Sequence, residues 1–533
     1  QEQLIAVLGK ESTATKTPSK GLFVPDAQMV FCIDTRSEMI RRNVESKGNY
    51  ETFGYAGFFG IAMDYTNLED GITRKSCPPI VSSAYVVSES HQPKKAEALK
   101  TFTKKNDRFK FGEYFLKRMK NMLPSAFGYV EGSGIFYGIS TLMRTLAPSY
   151  LYDVKAKNTT HFEHFCEPQL HLSNATYGEL GISTAEKVAI VKSAFSLTGW
   201  KDFAPIVLFI GHGSHSANNP FGSSLDCGAC AASPGRQNAR MLAKLANLPE
   251  VRIQLAEDHN IIIPNSTLFI GAEHNTTTDE IVLFDAEVPE SHKKQLAVVK
   301  TDLYKAQQTA TRERLGASKN SISAAQHKAN HWGETRPEWG LAKNASFIIA
   351  PRALTKHQNL AGRCFLHSYA WESDMEGTAL EGILQGPMVV TQWINNHYYF
   401  STVDNNTFGG GSKITHNITG KFGVLQGNGG DLKMGLPLQS VNQADKEMYH
   451  QPLRLSVVVQ APLDRVNHIL ARNEHLKTLL DNEWIYLLVM DPFKENRIVQ
   501  YTTNLEWIAV AGQNKSPKPR HPKTEISIVD EVV

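Results

Sequence analysis

Apolar residues in this chain gather into short unbroken runs, separated by glycine, proline and charged segments. Ala27 to Ile33 (AQMVFCI) is one such run and predicts a buried strand. Thr35 to Glu45 predicts a helix, with Arg41 and Arg42 on its exposed side. Phe53 to Ala62 (FGYAGFFGIA) mixes aromatics with glycines and is expected to form a tight buried loop. Pro205 to Ile210 (PIVLFI) predicts a second strong strand, ending at Gly211-His212-Gly213-Ser214. Ser233 to Leu248 opens on Ser then Pro and continues at helical spacing. Thr267 to Gly271 and Ile281 to Phe284 predict a third and a fourth strand. Short apolar strands alternating with helices argue for an α/β core on a mainly parallel sheet.

Between the first two strands, residues of about 64–195 read as a large helical insertion. Inside it, His91 to Lys120 carries ten Lys and Arg against three acidic residues and is expected to be helical. That face is either simply solvated or a docking surface for an acidic partner or membrane headgroups. His292 to Leu315 predicts a long polar helix. In the second half, Phe347 to Ala350, Leu453 to Val459 and Trp484 to Met490 read as strands, with a helix over Leu463 to Leu480. Ala379 to Tyr399 mixes helical and extended signals, Phe408 to Gly435 is loop-like, and no internal repeat is found. The expected division is a linker or upstream remnant over 1–22, a core over 23–300, a C-terminal α+β region over 301–511 packed on it, and a flexible tail over 512–533.

Composition narrows the class. With 533 residues, 41% hydrophobic and 20% charged, the chain is neither disordered nor collagen-like. A net charge of +3 gives no global case for nucleic-acid binding. The strongest apolar run, Phe203 to Gly211, is about half the roughly 20 residues a spanning helix needs. Six cysteines are too sparse for a disulfide scaffold and read as thiols, some of them metal ligands. No basic-then-apolar leader is visible, and since the chain opens on Gln1 rather than Met, further sequence is expected upstream.

The most specific chemistry is Cys32-Ile33-Asp34-Thr35-Arg36 at the end of the first strand. Residues two apart on a strand share a face, so Cys32 and Asp34 can meet one metal ion at the sheet's C-terminal edge. Arg36 can pair with Asp34. His212 ends the second strand, and Cys227 and Cys230 lie just downstream in Asp226-Cys227-Gly228-Ala229-Cys230. Neighbouring strands would deliver Cys32, Asp34, His212 and one later cysteine to one point. Thiolates, an imidazole and a carboxylate suit tetrahedral zinc, and thiolate softness argues against magnesium or calcium. The plainer alternative is that Cys32 is a small core residue and His212 a loop histidine. His215 reads as a donor behind the site, an alternative ligand or a solvent-facing loop residue, while Glu273 and His274 follow the third strand to the same edge and either line the site or belong to a surface loop. Gly54, Gly57 and Gly60 with Phe53, Phe58 and Phe59 wall an apolar pocket or pack the core. Gly409 to Lys413 lacks the spacing of a phosphate loop.

Cys-x-Asp-x-Arg after one strand, then a histidine and a cysteine after another, resembles the zinc site of β-class carbonic anhydrases. Added to it are Glu51-Thr-Phe-Gly-Tyr-Ala-Gly-Phe-Phe-Gly60, Trp332-Gly-Glu-Thr-Arg-Pro-Glu-Trp-Gly340 and Gly362-Arg-Cys-Phe-Leu-His-Ser-Tyr369. With these, the chain resembles the DabA family of inorganic-carbon accumulation subunits from about Phe23 to Asp491. The resemblance implies a β-carbonic-anhydrase-like core and a Zn2+ ion held by Cys32, Asp34, His212 and Cys227, with Cys230 the competing choice for the last. It implies that Arg36 draws Asp34 off the metal, so that water binds and carbon dioxide is hydrated to bicarbonate. It further implies an antiporter-like membrane partner (DabB-type) and a peripheral place on the cytoplasmic face of the bacterial inner membrane. The alternatives are a zinc metallohydrolase acting on a larger substrate and a non-enzymatic structural zinc scaffold.

Overall fold

The apolar run after Asp26 forms strand β1 (Ala27–Cys32), buried at every position. In this computed structural model the described residues are 2–12, 24–68, 71–91, 95–151, 166–172, 182–219, 222–316, 320–414, 417–419, 423–425 and 430–510. β1 lies between β2 (Tyr50–Tyr55) and β7 (Ile206–Gly213), with β8 (Leu268–Asn275) and β9 (Glu280–Leu283) beyond β7. β2, β1, β7 and β8 run parallel, and β9 closes the edge antiparallel. Near-continuous apolar runs are what a parallel strand covered on both faces requires. One face packs Met29, Phe31 and Leu208 on Ile40 and Leu303. The other packs Val30 and Phe209 on Leu242 and Val191.

A second sheet repeats this plan. β10 (Ser346–Ile349) lies between β11 (Cys364–His367) and β17 (Leu455–Gln460), followed by β18 (Ile485–Asp491), β19 (Arg497–Tyr501) and β20 (Trp507–Ala509). β11, β10, β17 and β18 are parallel, and β19 is antiparallel. The order and directions of these five strands match those of the first sheet. No sequence repeat announces this, because the common feature is pairing order and not residue identity. The sheets meet where Leu366 N–H donates to Ile33 O at 3.1 Å and Ser368 N–H to Gly54 O at 2.9 Å.

Several expectations change. Phe53 to Tyr55 is part of strand β2, not loop. Its glycine is there because a Cβ at Gly54 would fall on Leu366 O of the second sheet. Helix α2 (Thr35–Glu45) has the expected bounds, but Arg41 is buried. The second sheet covers it, and its guanidinium donates to Thr52 Oγ1 at 3.1 Å and Leu366 O at 3.4 Å. Within the expected linker or upstream remnant, residues 2–12 form helix α1 (Glu2–Ser12), whose buried Leu8 packs with Leu354 and Leu488. The tail over 512–533 lies outside the described residues.

The insertion is not wholly helical. It holds a four-stranded sheet of β3 (Met63–Thr66), β4 (Thr73–Ser76), β5 (Tyr85–His91) and β6 (Cys166–Leu172). β3 buries only alternate residues, which gives a polar-looking strand easily read as loop. Helices α3 (Ala96–Asn121) and α4 (Ala126–Leu146) follow β5, and a further helix spans Thr184–Thr198. In the second half, short strands β12 (Asn417–Thr419), β13 (Gly423–Leu425), β14 (Leu432–Lys433), β15 (Asn442–Ala444) and β16 (Glu447–Met448) lie in the loop-rich stretch. Among the described residues no helix is long and apolar enough to cross a membrane.

Candidate metal centre

Cys32 is the last residue of β1, and β7 runs beside it in a register that pairs Phe31 with Ile210. His212 therefore ends beside Cys32 at the C-terminal edge of the sheet. Cys227 arrives from a tight loop in which Cys230 N–H and Ala232 N–H both donate to Cys227 O at 3.0 Å. The ligand atoms of Cys32, His212 and Cys227 lie within 4.8 Å of one another, and all three residues are buried. The two sulfurs are 3.9 Å apart. Neither ring nitrogen of His212 makes a well-formed hydrogen bond; its polar neighbours are the Cys32 thiol and Asp34 Oδ2, 3.4 Å from Nε2. A buried imidazole facing two thiols is a nitrogen and sulfur donor set, so this group could hold a metal ion. Backbone shape serves the same end: a Cβ at Gly57 would sit 2.6 Å from Cys227 Sγ and 2.7 Å from Cys32 Sγ. Cys230 stands outside the group, with its Sγ 3.8 Å from Asn238 Oδ1.

Asp34 lies beside the group and is turned onto Arg36. It caps α2, accepting from Arg36 N–H at 2.9 Å. The guanidinium donates twice more, Nε to Oδ1 at 2.8 Å and Nη2 to Oδ2 at 3.0 Å. Asp34 Oδ2 is also 3.4 Å from His212 Nε2. Burial disfavours the ionised carboxyl, but Arg36 and His212 outweigh it and hold Asp34 well below the usual carboxylate range. Arg36 is fixed further by Leu225 O at 2.6 Å, Thr276 Oγ1 at 2.9 Å and Glu338 Oε2 at 3.3 Å. Glu338 also accepts from Thr277 Oγ1 at 2.9 Å. Sequence reading gave Glu338 no role. It sits in the Trp332 to Gly340 segment, far along the chain, and only the fold brings it to Arg36.

Other candidates separate. His274 is directly across from His212 in the β7–β8 register and is buried. Burial, with His212 beside it, pushes its imidazole down to about 3. Glu273 faces elsewhere and pairs with Arg236 at 3.3 Å. His215 bonds Asn330 Oδ1 at 2.8 Å, outside the group. Lys413 is buried, with Nζ donating to Thr335 O at 2.7 Å.

An apolar cavity of about 350 Å³ is lined by Ile33, Ala56, Phe58, Ala229, His367 and Ile383 among others, so it includes the residue that follows Cys32 but none of the three candidate ligands. Of the three phenylalanines expected at a pocket, only Phe58 lines it. Phe59 packs on Phe209 at 5.8 Å and Phe53 stacks on Trp200 at 4.9 Å. A π-helical turn, Leu384–Met388, supplies Gln385, Gly386 and Pro387 to the wall. His367 Nδ1 donates to Ser368 O at 2.8 Å, which leaves Nε2 as a buried acceptor without a partner.

A buried Cys–His–Cys group at the C-terminal edge of a parallel sheet defines an α/β protein with a candidate metal centre. A family model described as "Probable inorganic carbon transporter subunit DabA" matches residues 1–485, and the chain belongs to the DabA family. A relative of that description from Haloarcula marismortui is 46% identical, over 95% of this chain and 64% of its own length. One from Salinibacter ruber is 45% identical, over 93% and 63%. One from Legionella pneumophila (strain Lens) is 43% identical, over 88% and 62%. The chain thus spans a little under two thirds of the length of the curated relatives it matches. No solved structure matches.

Proposed function

We propose that this chain is the zinc-binding part of an inorganic-carbon uptake subunit that hydrates carbon dioxide to bicarbonate, working with an antiporter-like membrane partner at the cytoplasmic face. The observation that carries the reading is the buried His212 imidazole facing two buried thiols, with their ligand atoms within 4.8 Å of one another. Two sulfurs and a nitrogen are a zinc donor set and a poor one for hard, oxygen-seeking cations. Zinc bound there would supply a Lewis acid that makes hydroxide available from water at neutral pH.

The protein's own groups do the rest. Cys32, His212 and Cys227 would hold the ion. Arg36 keeps the Asp34 carboxylate paired, and release of that pair would free Asp34 as a further ligand. Kept ionised by Arg36, Asp34 accepts a hydrogen bond at Oδ2 near neutral pH without taking up the proton. The apolar cavity lined by Ile33, Ala56 and Phe58 would suit a small uncharged substrate. Its volume also reaches the lower range of small-molecule sites, which favours hydrolysis of a larger substrate as the second reading.

The test is metal analysis joined to isotope-exchange assay of carbon dioxide hydration, in the complex with its membrane partner. Cys32→Ala and His212→Ala should lose zinc and activity together. Arg36→Ala should keep zinc and lose hydration by about 100-fold or more. Full zinc occupancy in both ligand variants, or full activity in Arg36→Ala, would overturn the reading. Ester hydrolysis without carbon dioxide hydration would favour the second.

A further inference from the structure

Helices α3 and α4 take no part in either sheet. No residue of α3 is buried, and of α4 only Ser133 is. Yet large apolar side chains stand in solvent all along the pair: Phe127 is 81% exposed, Ile135 75%, Phe136 73% and Leu146 72%, with Phe109 and Phe111 at 67%. Apolar patches of this extent on a protein surface mark a site of interaction. The base of the pair is attached to the body, where Trp332 Nε1–H donates to Thr145 Oγ1 at 2.8 Å and Leu99 and Phe102 pack on Cys166.

Two features say what covers it. At roughly 100° per residue, the exposed Phe127, Val130, Ile135 and Phe136 of α4 fall on different sides of the helix rather than along one stripe. A helix made for a protein groove presents a single stripe at i, i+3, i+4 spacing, whereas a fluid hydrocarbon solvates every side. α4 has only two charged residues, Glu131 and Arg144, in 21. Beside it, α3 carries eight Lys and Arg against three acidic residues. Lys100, Lys104, Lys105, Lys117 and Lys120 are all exposed. A basic helix beside an apolar one complements anionic headgroups over acyl chains. α4 is about 31 Å long at 1.5 Å per residue, and among the described residues no helix is long and apolar enough to cross a membrane.

We propose that the α3–α4 hairpin binds an anionic lipid bilayer directly, with α4 among the acyl chains and the lysines of α3 on the headgroups. This stands independently of the metal-centre reading. The test is flotation of the 533-residue chain with phosphatidylcholine vesicles, with and without phosphatidylglycerol. The chain should float with the phosphatidylglycerol vesicles. Phe127→Ser/Ile135→Ser/Phe136→Ser should weaken partitioning by about ten-fold or more. Lys104→Glu/Lys105→Glu/Lys117→Glu/Lys120→Glu should remove the preference for anionic lipid. All seven positions are exposed, and unchanged thermal melting of each variant checks that it folds. Failure to float with anionic vesicles, or parent-like flotation of both folded variants, overturns the proposal. So does binding that appears only when a membrane protein is reconstituted in the vesicle, since the occupant is then that protein.

Discussion

Gly57 has no side chain because two sulfur atoms lie against the space one would fill. Gly57→Ala should push Cys32 and Cys227 apart and lower zinc affinity by about 10- to 100-fold, as loss of supporting groups around a metal does. Competition with a chromophoric chelator measures it, and parent-like affinity would mean the thiols do not share an ion. His367 gives a pH test. Burial pushes its imidazole down to about 4, below the roughly 6.5 of a free histidine. As pH falls through that window the unfolded chain takes a proton that the folded chain refuses, so stability is lost on acidification. The loss is about 2 kcal/mol at pH 5 for this one group. His367→Gln should flatten the fall in urea midpoint between pH 7 and pH 5, and an identical slope would refute it. At this scale the sequence was informative where spacing decides geometry. Cys32 at a strand end and His212 at its neighbour's end were both readable. The choice between Cys227 and Cys230 rests on the tight loop around Cys227 O, whose closure no local signal encodes.

At the scale of elements, β1, α2, β7 and β8 were legible because each is a short apolar or periodic run bounded by Gly, Pro or a capping Asp. β2 was not, since its glycine answers to a distant backbone. Gly54→Ala would drive a methyl group onto Leu366 O and separate the sheets. We expect destabilisation above about 3 kcal/mol, seen in chemical denaturation, and a cost below about 1 kcal/mol would show that the junction is soft. Arg41 was misplaced for the same reason. A helix face judged from its own residues looks exposed until a second sheet is laid on it. Parallel pairing in particular stays hidden, because β1 and β7 are joined across the whole insertion and their register depends on contacts far apart in sequence.

Across the whole molecule, two sheets of like topology carry one ligand set. The described residues hold a single Cys/His/Cys group, so native mass spectrometry of the zinc-loaded chain should give one tightly held ion. Two ions of equal affinity would show a second centre. Strand β1 ends at Cys32, and two residues later Asp34 caps a helix. Strand β10 ends at Ile349, and two residues later Pro351 caps a helical turn. The second edge has the scaffold of the first without its thiol or its carboxylate. Among the described residues the second sheet thus serves as an internal blank for the first: metal retained after Cys32 and His212 are removed finds no matching group at its edge.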